Sequence, residues 1–347
     1  MNTEAFIGWD IGGAHLKMAH IDVTGRIISA CQFPVPVWQG LNKLNNSLVE
    51  VKKSIPDKHA SHSITTTAEL SDIFQDRHSG LGEIVRIITA VIDKEPVRFY
   101  GGSAGWINTD RTHQFVREIA SANWHATASF VATRLMDGIL VDIGSTTTDI
   151  VPFRQGRILN QGYTDYERLS CYELVYTGIV RTPVMAIVNE LSMDGKRQPV
   201  IPEHFATMAD IYRLTGHLQE EDDMMPAADG AGKSVFESAR RLARMLAVDI
   251  KENEAIHEWK NIAAHIANIQ QEKIGRALQE VMLNAQISGP TLVGAGAGRF
   301  LVKQLADNNG YSYIDFADIL DATDEIKPKA ARSATAVAVA QLARQIT

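Results

Sequence analysis

Two short stretches hold residues whose types and spacing suit phosphate chemistry. The first is Asp10-Ile11-Gly12-Gly13-Ala14-His15-Leu16-Lys17. An apolar run, Ala5–Trp9, delivers a carboxylate at its end, and two glycines then turn the chain. Glycine carries no Cβ, so backbone N–H groups there can approach an oxyanion closely. Asp10 can hold Mg2+ directly or through water, and Lys17 offers a point charge to a phosphate. A plain two-residue hairpin would use the same glycines. The second stretch is Asp142-Ile143-Gly144-Ser145-Thr146-Thr147-Thr148-Asp149. Its four successive hydroxyl residues make a poor core strand and a rich donor set for phosphate oxygens. A solvent-facing Ser/Thr turn is the alternative. Asp142 ends its strand as Asp10 does, and packing does not explain a repeated aspartate. The two aspartates are therefore expected at one metal or phosphate site.

Other residues are weaker candidates. Gly294, Gly296 and Gly298 join the strand Thr291–Val293 to a helix that starts at Arg299. A helix N-terminus lined by small residues suits a phosphate or nucleotide, and tight helix–strand packing would look the same. Gly230-Ala231-Gly232-Lys233-Ser234 imitates the end of a P-loop, but Ala227 stands where that motif needs glycine and no strand precedes it. Glu69 and Asp72 follow a strand and could face a cleft or cap a helix. Ser103, in Gly101–Gly105, sits at a strand end, where α/β sheets place ligands; a packing turn would serve equally. Arg168 and Arg181, near Tyr176, could bind an anion or form surface ion pairs. The run Glu220-Glu221-Asp222-Asp223 reads as a solvated face.

The elements that must position these residues follow from hydrophobic period and turn signals. Strands are expected at Ala5–Trp9, Leu16–Ile21 and Arg26–Phe33. Then come a helix at Leu41–Lys53, a strand at His62–Thr67, a helix at Leu81–Asp93, a strand at Val97–Gly101 and a largely helical His113–Leu135. The pattern restarts with strands at Gly138–Val141, Thr148–Phe153 and Arg157–Gly162. Residues 181–230, with four prolines, interrupt this second copy as an insertion or long lid. Helices follow at Ser234–Ala247 and Ile256–Asn284, and an alanine-rich amphipathic helix closes the chain at Lys329–Gln345. The class is α/β, a mixed sheet covered by helices and duplicated. The domains read as 1–136, 137–328 with the insertion, and 329–347 as a closing helix packed back on the first domain.

Bulk properties narrow the function. The chain has 347 residues and a net charge of −7, with no basic block, which argues against nucleic acid or an anionic membrane as partner. No apolar run approaches the roughly 20 residues of a membrane span. The N-terminus lacks the pattern of a secretion signal. Two cysteines, Cys31 and Cys171, are too few for a disulfide framework and form no zinc motif. A cytoplasmic protein is expected, with homo-oligomerisation left open.

Three phosphate-type loops in this order, on a duplicated three-strand meander, resemble the superfamily of sugar kinases, Hsp70 and actin. The resemblance implies duplicated actin-like, ribonuclease H-like domains with an inserted segment in the second copy. Within that superfamily the chain is most similar to the hydantoinase A/oxoprolinase-like group, and there to the family linked to tetrahydromethanopterin-dependent one-carbon transfer. The strings that carry this likeness are residues 10–17, Thr67-Ala68-Glu69-Leu70-Ser71-Asp72, residues 173–183 with Tyr176-Thr177-Gly178-Ile179-Val180-Arg181-Thr182-Pro183, and Tyr212-Arg213-Leu214-Thr215-Gly216.

The resemblance implies formation of an aryl ether on the way to a methanofuran. An aminomethyl-furanylmethyl diphosphate is joined to the phenol of tyramine or γ-glutamyl-tyramine, and diphosphate leaves. Asp10, Lys17 and Asp142 would then be catalytic, with Asp10 and Asp142 holding Mg2+. Gly12, Gly13, Gly144, Ser145, Thr146, Thr147, Thr148, Gly294, Gly296 and Gly298 would bind phosphate, and Glu69, Asp72, Ser103, Arg168 and Arg181 would meet the substrates. A phenol titrates near about 10 in water and needs help to ionise; His15 is the nearest base along the chain. Ala14 stands where sugar kinases carry a hydroxyl residue, and no counterpart of the kinase general-base aspartate is evident, so ATP is not expected to be required. The alternatives are an ATP-dependent hydantoinase or oxoprolinase-type enzyme, a small-molecule kinase, and a non-enzymatic nucleotide-binding regulator.

Overall fold

A computed structural model describes residues 5–56, 59–193, 195–251 and 256–346. In chain order its strands and α-helices are β1 Ala5–Ile11, β2 His15–Asp22, β3 Ile27–Pro34, α1 Leu41–Ser54, β4 Ala60–Thr66, α2 Arg77–Val91, β5 Val97–Tyr100, β6 Trp106–Asn108, α3 Val116–Ile119, α4 Asn123–Arg134, β7 Gly138–Ile143, β8 Thr148–Arg154, β9 Arg157–Ile158, α5 Asp165–Ser170, β10 Leu174–Val175, β11 Glu190–Met193, β12 Lys196–Pro199, α6 Met208–Leu214, α7 Val235–Arg244, α8 His257–Ala285, β13 Thr291–Ala295, α9 Arg299–Asn309, β14 Ser312–Asp315, α10 Lys327–Arg332 and α11 Ala334–Arg344. The chain divides into two compact units. The first holds Met1–Leu140, Phe153–Asp165 and Ile314–Thr347; the second holds Val141–Pro152 and Tyr166–Tyr313.

The first unit is built on a six-stranded sheet ordered β3-β2-β1-β4-β5-β6. The first three strands are antiparallel neighbours; β4 then joins β1 in parallel, and β5 joins β4 in parallel. All seven residues of β1 are buried, since both its edges are paired. The turn after β2 is an Asx turn: Asp22 Oδ1 accepts from the N–H groups of Thr24 and Arg26, and Gly25 takes a φ of +94°. The alanine-rich helix α11 lies against β1 so closely that a Cβ on Gly8 would sit 1.9 Å from the Ala336 carbonyl oxygen. All five alanines of α11 are buried, and the backbone at two of them, Ala336 and Ala340, meets Gly8.

Several element boundaries depart from the pattern reading. The segment expected to be largely helical over 113–135 holds two helices, α3 and α4, separated at Ser121, whose φ is +57°. The closing helix is likewise two helices, interrupted at Ser333. The strand expected over 157–162 shrinks to β9. Helix α2 starts at Arg77 because Asp76 and Ser79 form a capping box ahead of the apolar repeat. Strands β6, β11, β12 and β14 carry no clear sequence signal.

In the second unit the strands run β10-β8-β7-β13-β14. Residues 181–230 contain the hairpin β11–β12 and helix α6. Helix α6 is tied down by a buried polar network: Asp210 Oδ1 accepts from Ser238 Oγ and Arg241 Nε, both at 2.9 Å. The acidic run is not a solvated face throughout. Asp222 and Asp223 are buried, and Asp223 pairs with Arg213 and Lys233. Lys233 and Ser234 of the P-loop look-alike are spent on Asp223 and on capping α7.

Candidate active site

In the first unit the register of β1 on β2 sets Asp10 opposite Lys17, with the ammonium 3.4 Å from Oδ2. Burial holds the Asp10 carboxyl above the usual range, and Lys17 draws it part of the way back. The turn between the strands closes through Gly12 N–H to the His15 carbonyl at 2.9 Å. The carbonyls of Gly13 and Ala14 turn into the protein, where they accept from Val37 and Val35. Among the described residues no acceptor meets the N–H groups of Gly13 and Ala14. His15 is buried at the start of β2.

The loop after β4 is adjacent. Thr67 donates its N–H to the Ile11 carbonyl at 3.0 Å, and its Oγ1 faces Gly12. Glu69 does not point to solvent: it is 1% exposed. Its Oε1 accepts from Ser121 N–H at 3.1 Å and its Oε2 from Thr66 Oγ1 at 3.0 Å. Burial pushes its carboxyl up to about 7, against the pull of those hydrogen bonds and of Arg77. Ser121 Oγ and Arg77 both reach Asp165 Oδ2, which anchors the same corner. Asp72 and Ser103 are exposed, on the turn after Glu69 and the turn after β5.

In the second unit three loops converge. The Gly144 carbonyl accepts from Ile179, and the Ser145 carbonyl accepts from Val180 and from Arg181 at 2.8 Å. With these carbonyls turned onto residues 179–181, no acceptor among the described residues meets the N–H groups of Ser145, Thr146 and Thr147. Three successive N–H groups without partners form an anion-binding nest. The hydroxyls of Ser145, Thr146 and Thr147 are half-buried, and Arg181 Nη1 lies 3.4 Å from Thr146 Oγ1. Gly296, with φ of +77°, lies against Asp142: a Cβ there would be 2.4 Å from Asp142 Oδ1. Gly298 donates to the Ile143 carbonyl at 2.8 Å and opens α9.

Three expected ligands have other roles. Thr148 is buried and its Oγ1 donates to the Thr177 carbonyl at 2.8 Å, so it fastens the loop rather than facing a phosphate. Gly294 makes room for the Tyr313 ring. Arg168, expected to contact substrate or lie at the surface, is 1% exposed; it bonds Asp149 Oδ1 and the Glu173 carbonyl, both at 2.7 Å.

Residues the sequence did not single out complete the loop. Gly178 N–H donates to Thr182 Oγ1, and Gln270 from α8 donates to Thr177 Oγ1 and the Gly178 carbonyl. The Thr177–Pro183 string pointed to the loop. No local signal marks Gln270, one polar residue in a long helix. Among the described residues no group of three or more His, Cys, Asp or Glu could enclose a metal.

Residues 61–346 match the hydantoinase/oxoprolinase family. The chain belongs to that family. A curated relative from Methanocaldococcus jannaschii, (4-{4-[2-(gamma-L-glutamylamino)ethyl]phenoxymethyl}furan-2-yl)methanamine synthase, is 30% identical over 87% of this chain and 88% of its own. The synthase of the same name from Methanococcus vannielii is 29% identical over 55% of this chain and 86% of its own. As a member of a hydantoinase/oxoprolinase family with such relatives, the chain is an enzyme. A nucleotide-free structure of acetone carboxylase superposes with a TM-score of 0.62, at 10% identity, over 98% of this chain and 70% of that one. The two share an α/β fold. No helix among the described residues is long and apolar enough to cross a membrane.

Proposed function

We propose that this hydantoinase/oxoprolinase family member is a cytoplasmic transferase of methanofuran-type one-carbon carrier biosynthesis. It joins an aminomethyl-furanylmethyl diphosphate to the phenol of tyramine or γ-glutamyl-tyramine. The observation that carries this reading is the relative from Methanocaldococcus jannaschii, similar along 87% of the chain, whose name describes a product with a phenoxymethyl-furan ether. The structure supports it with N–H groups that meet no acceptor among the described residues, those of Gly13 and Ala14 in the first unit and those of Ser145, Thr146 and Thr147 in the second, each set suited to phosphate oxygens.

In the reaction the phenol oxygen bonds to the furanyl methylene carbon as the carbon–oxygen bond to diphosphate breaks. The electron pair leaves with the diphosphate and the phenol proton passes to a base. Lys17 is proposed to stabilise the charge that gathers on the leaving group, and the N–H groups of Ser145, Thr146 and Thr147 are proposed as donors to diphosphate oxygens. Arg181, beside Thr146, adds a cation in the second unit. Asp10 in the first unit and Asp142 in the second are each proposed as Mg2+ ligands, and the cation would neutralise phosphate charge. His15 is the proposed base. It lies on β2 two residues from Lys17. The furan oxygen shares positive charge that develops on the methylene carbon, which lowers the demand on the nucleophile.

The test supplies the furanylmethyl diphosphate, a tyramine-type phenol and Mg2+ without nucleotide, and follows ether and diphosphate together by mass spectrometry. Equal amounts of both are expected. Product that appears only when ATP is supplied and consumed would replace this reading with an ATP-dependent one.

A further inference from the structure

The loop that faces the Ser145–Thr147 nest is held from behind by a buried side-chain relay. Gln270 is wholly buried on α8, on a face otherwise made of residues such as Ile266, Ile274 and Leu278. A buried amide is costly unless its donors and acceptor are all met. Here Nε2 donates to Thr177 Oγ1 at 2.6 Å and to the Gly178 carbonyl at 2.9 Å, while Oε1 accepts from Tyr212 Oη at 2.5 Å. The Gly178 carbonyl, which can only accept, fixes the Nε2 end of the amide, and the Tyr212 hydroxyl then donates to Oε1. Burial pushes the Tyr212 phenol upward, so it remains a donor at any working pH.

The position of this loop governs the nest. A Cβ on Gly178 would lie 2.5 Å from the Gly144 carbonyl oxygen and from Thr146 N, so the two loops touch backbone to backbone. The next residues, Ile179, Val180 and Arg181, hold the carbonyls of Gly144 and Ser145 turned away from the nest. If the 177–181 segment moves, those carbonyls lose their donors and can rotate toward the anion, replacing attraction with repulsion. The segment also carries Arg181.

We infer that Gln270, braced by Tyr212, is a positioning residue that sets diphosphate affinity by seating Thr177–Arg181 against the Ser145–Thr147 loop. The inference rests on the proposed anion role of that loop. Gln270 touches no substrate; it acts through the backbone of its neighbours.

Binding of inorganic diphosphate to the full-length protein, with Mg2+, is measured by titration calorimetry, and KM for each substrate is measured alongside. Gln270→Glu keeps the shape and the acceptor for Tyr212 but sets a carboxylate oxygen against the Gly178 carbonyl. It should weaken diphosphate binding by about tenfold or more, the scale of one buried polar contact made repulsive. KM for the furanylmethyl diphosphate should rise in step, and KM for the phenol should not. Tyr212→Phe, which leaves the buried Oε1 without its donor and loosens the amide, should show the same split at smaller size. Leu278→Ala, buried on the same helix and with no place in the relay, controls for stability: it should lower the unfolding midpoint and leave diphosphate affinity unchanged. The inference is overturned if Gln270→Glu binds diphosphate like the wild type, or if Leu278→Ala weakens binding as much as Gln270→Glu does. A wild-type protein that fails to bind diphosphate defeats the anion-loop reading itself, and the inference with it.

Discussion

Replacing Glu69 with Gln should make the protein more stable above neutral pH, and the structure gives the size. The folded carboxyl titrates at about 7 against an ordinary value of 4.5, with burial as the cause. At roughly 1.4 kcal/mol per tenfold change, holding it ionised in the folded state costs about 3 kcal/mol. The sign follows from proton counting. Between pH 4.5 and about 7 the folded state holds a proton that the unfolded state has lost, so stability falls as pH rises through that window. Gln removes the penalty and keeps the contacts, since its oxygen can accept from Ser121 N–H and its amide can donate to Thr66 Oγ1.

His62 works in the opposite sense. Burial lowers it from 6.5 to about 4, so the unfolded state binds the extra proton and stability is lost as pH falls from 6.5 toward 4. In the wild type these two dependences oppose one another. In Glu69→Gln the opposing Glu69 dependence is gone, so between pH 4.5 and about 7 the variant should gain stability relative to wild type as pH rises. The variant should therefore match wild type near pH 4 and exceed it by about 3 kcal/mol at pH 8. Urea unfolding across that range, followed by tryptophan fluorescence, reads mainly the first unit, which holds Trp9, Trp38, Trp106 and Trp124. A stability difference between variant and wild type that does not change with pH would refute the reasoning.

Lys17→Met should reduce turnover by a factor on the order of 10² to 10³, the size typical of losing one electrostatic stabiliser. The unfolding midpoint should change little; full activity in a discontinuous diphosphate-release assay would count against the role of Lys17. Gly296→Ala should destabilise by roughly 2–5 kcal/mol, combining a left-handed backbone with overpacking against Asp142 and Ile143. Gly289→Ala, left-handed but with open space around it, should lose only the smaller backbone part, and equal chemical unfolding of the two would sink the clash argument. Gly8→Ala drives a Cβ into the α11 backbone, which no rotamer change can relieve. It should cost at least about 3 kcal/mol and raise amide exchange in α11.

The amino-acid sequence by itself determined the strand-ending aspartates, the glycine turns behind them, the order of strands and helices, and the family. Each of these rests on a local signal. A period of two or 3.6 residues, a glycine after an apolar run, or a string of hydroxyls depends on neighbours along the chain. The tertiary structure alone decided that Thr148 and Arg168 fasten loops, that Gly294 accommodates Tyr313, and that Asp223 faces inward. It also decided that Glu69 is buried against Ser121 and that Gln270 reaches Thr177, pairings 52 and 93 residues apart along the chain. A polar side chain on an apolar helix face, or a carboxylate after a strand, has the same local pattern whether it meets water or a partner. Only the packing of distant segments sets whether it is desolvated and what it bonds, and that determines its charge and its role.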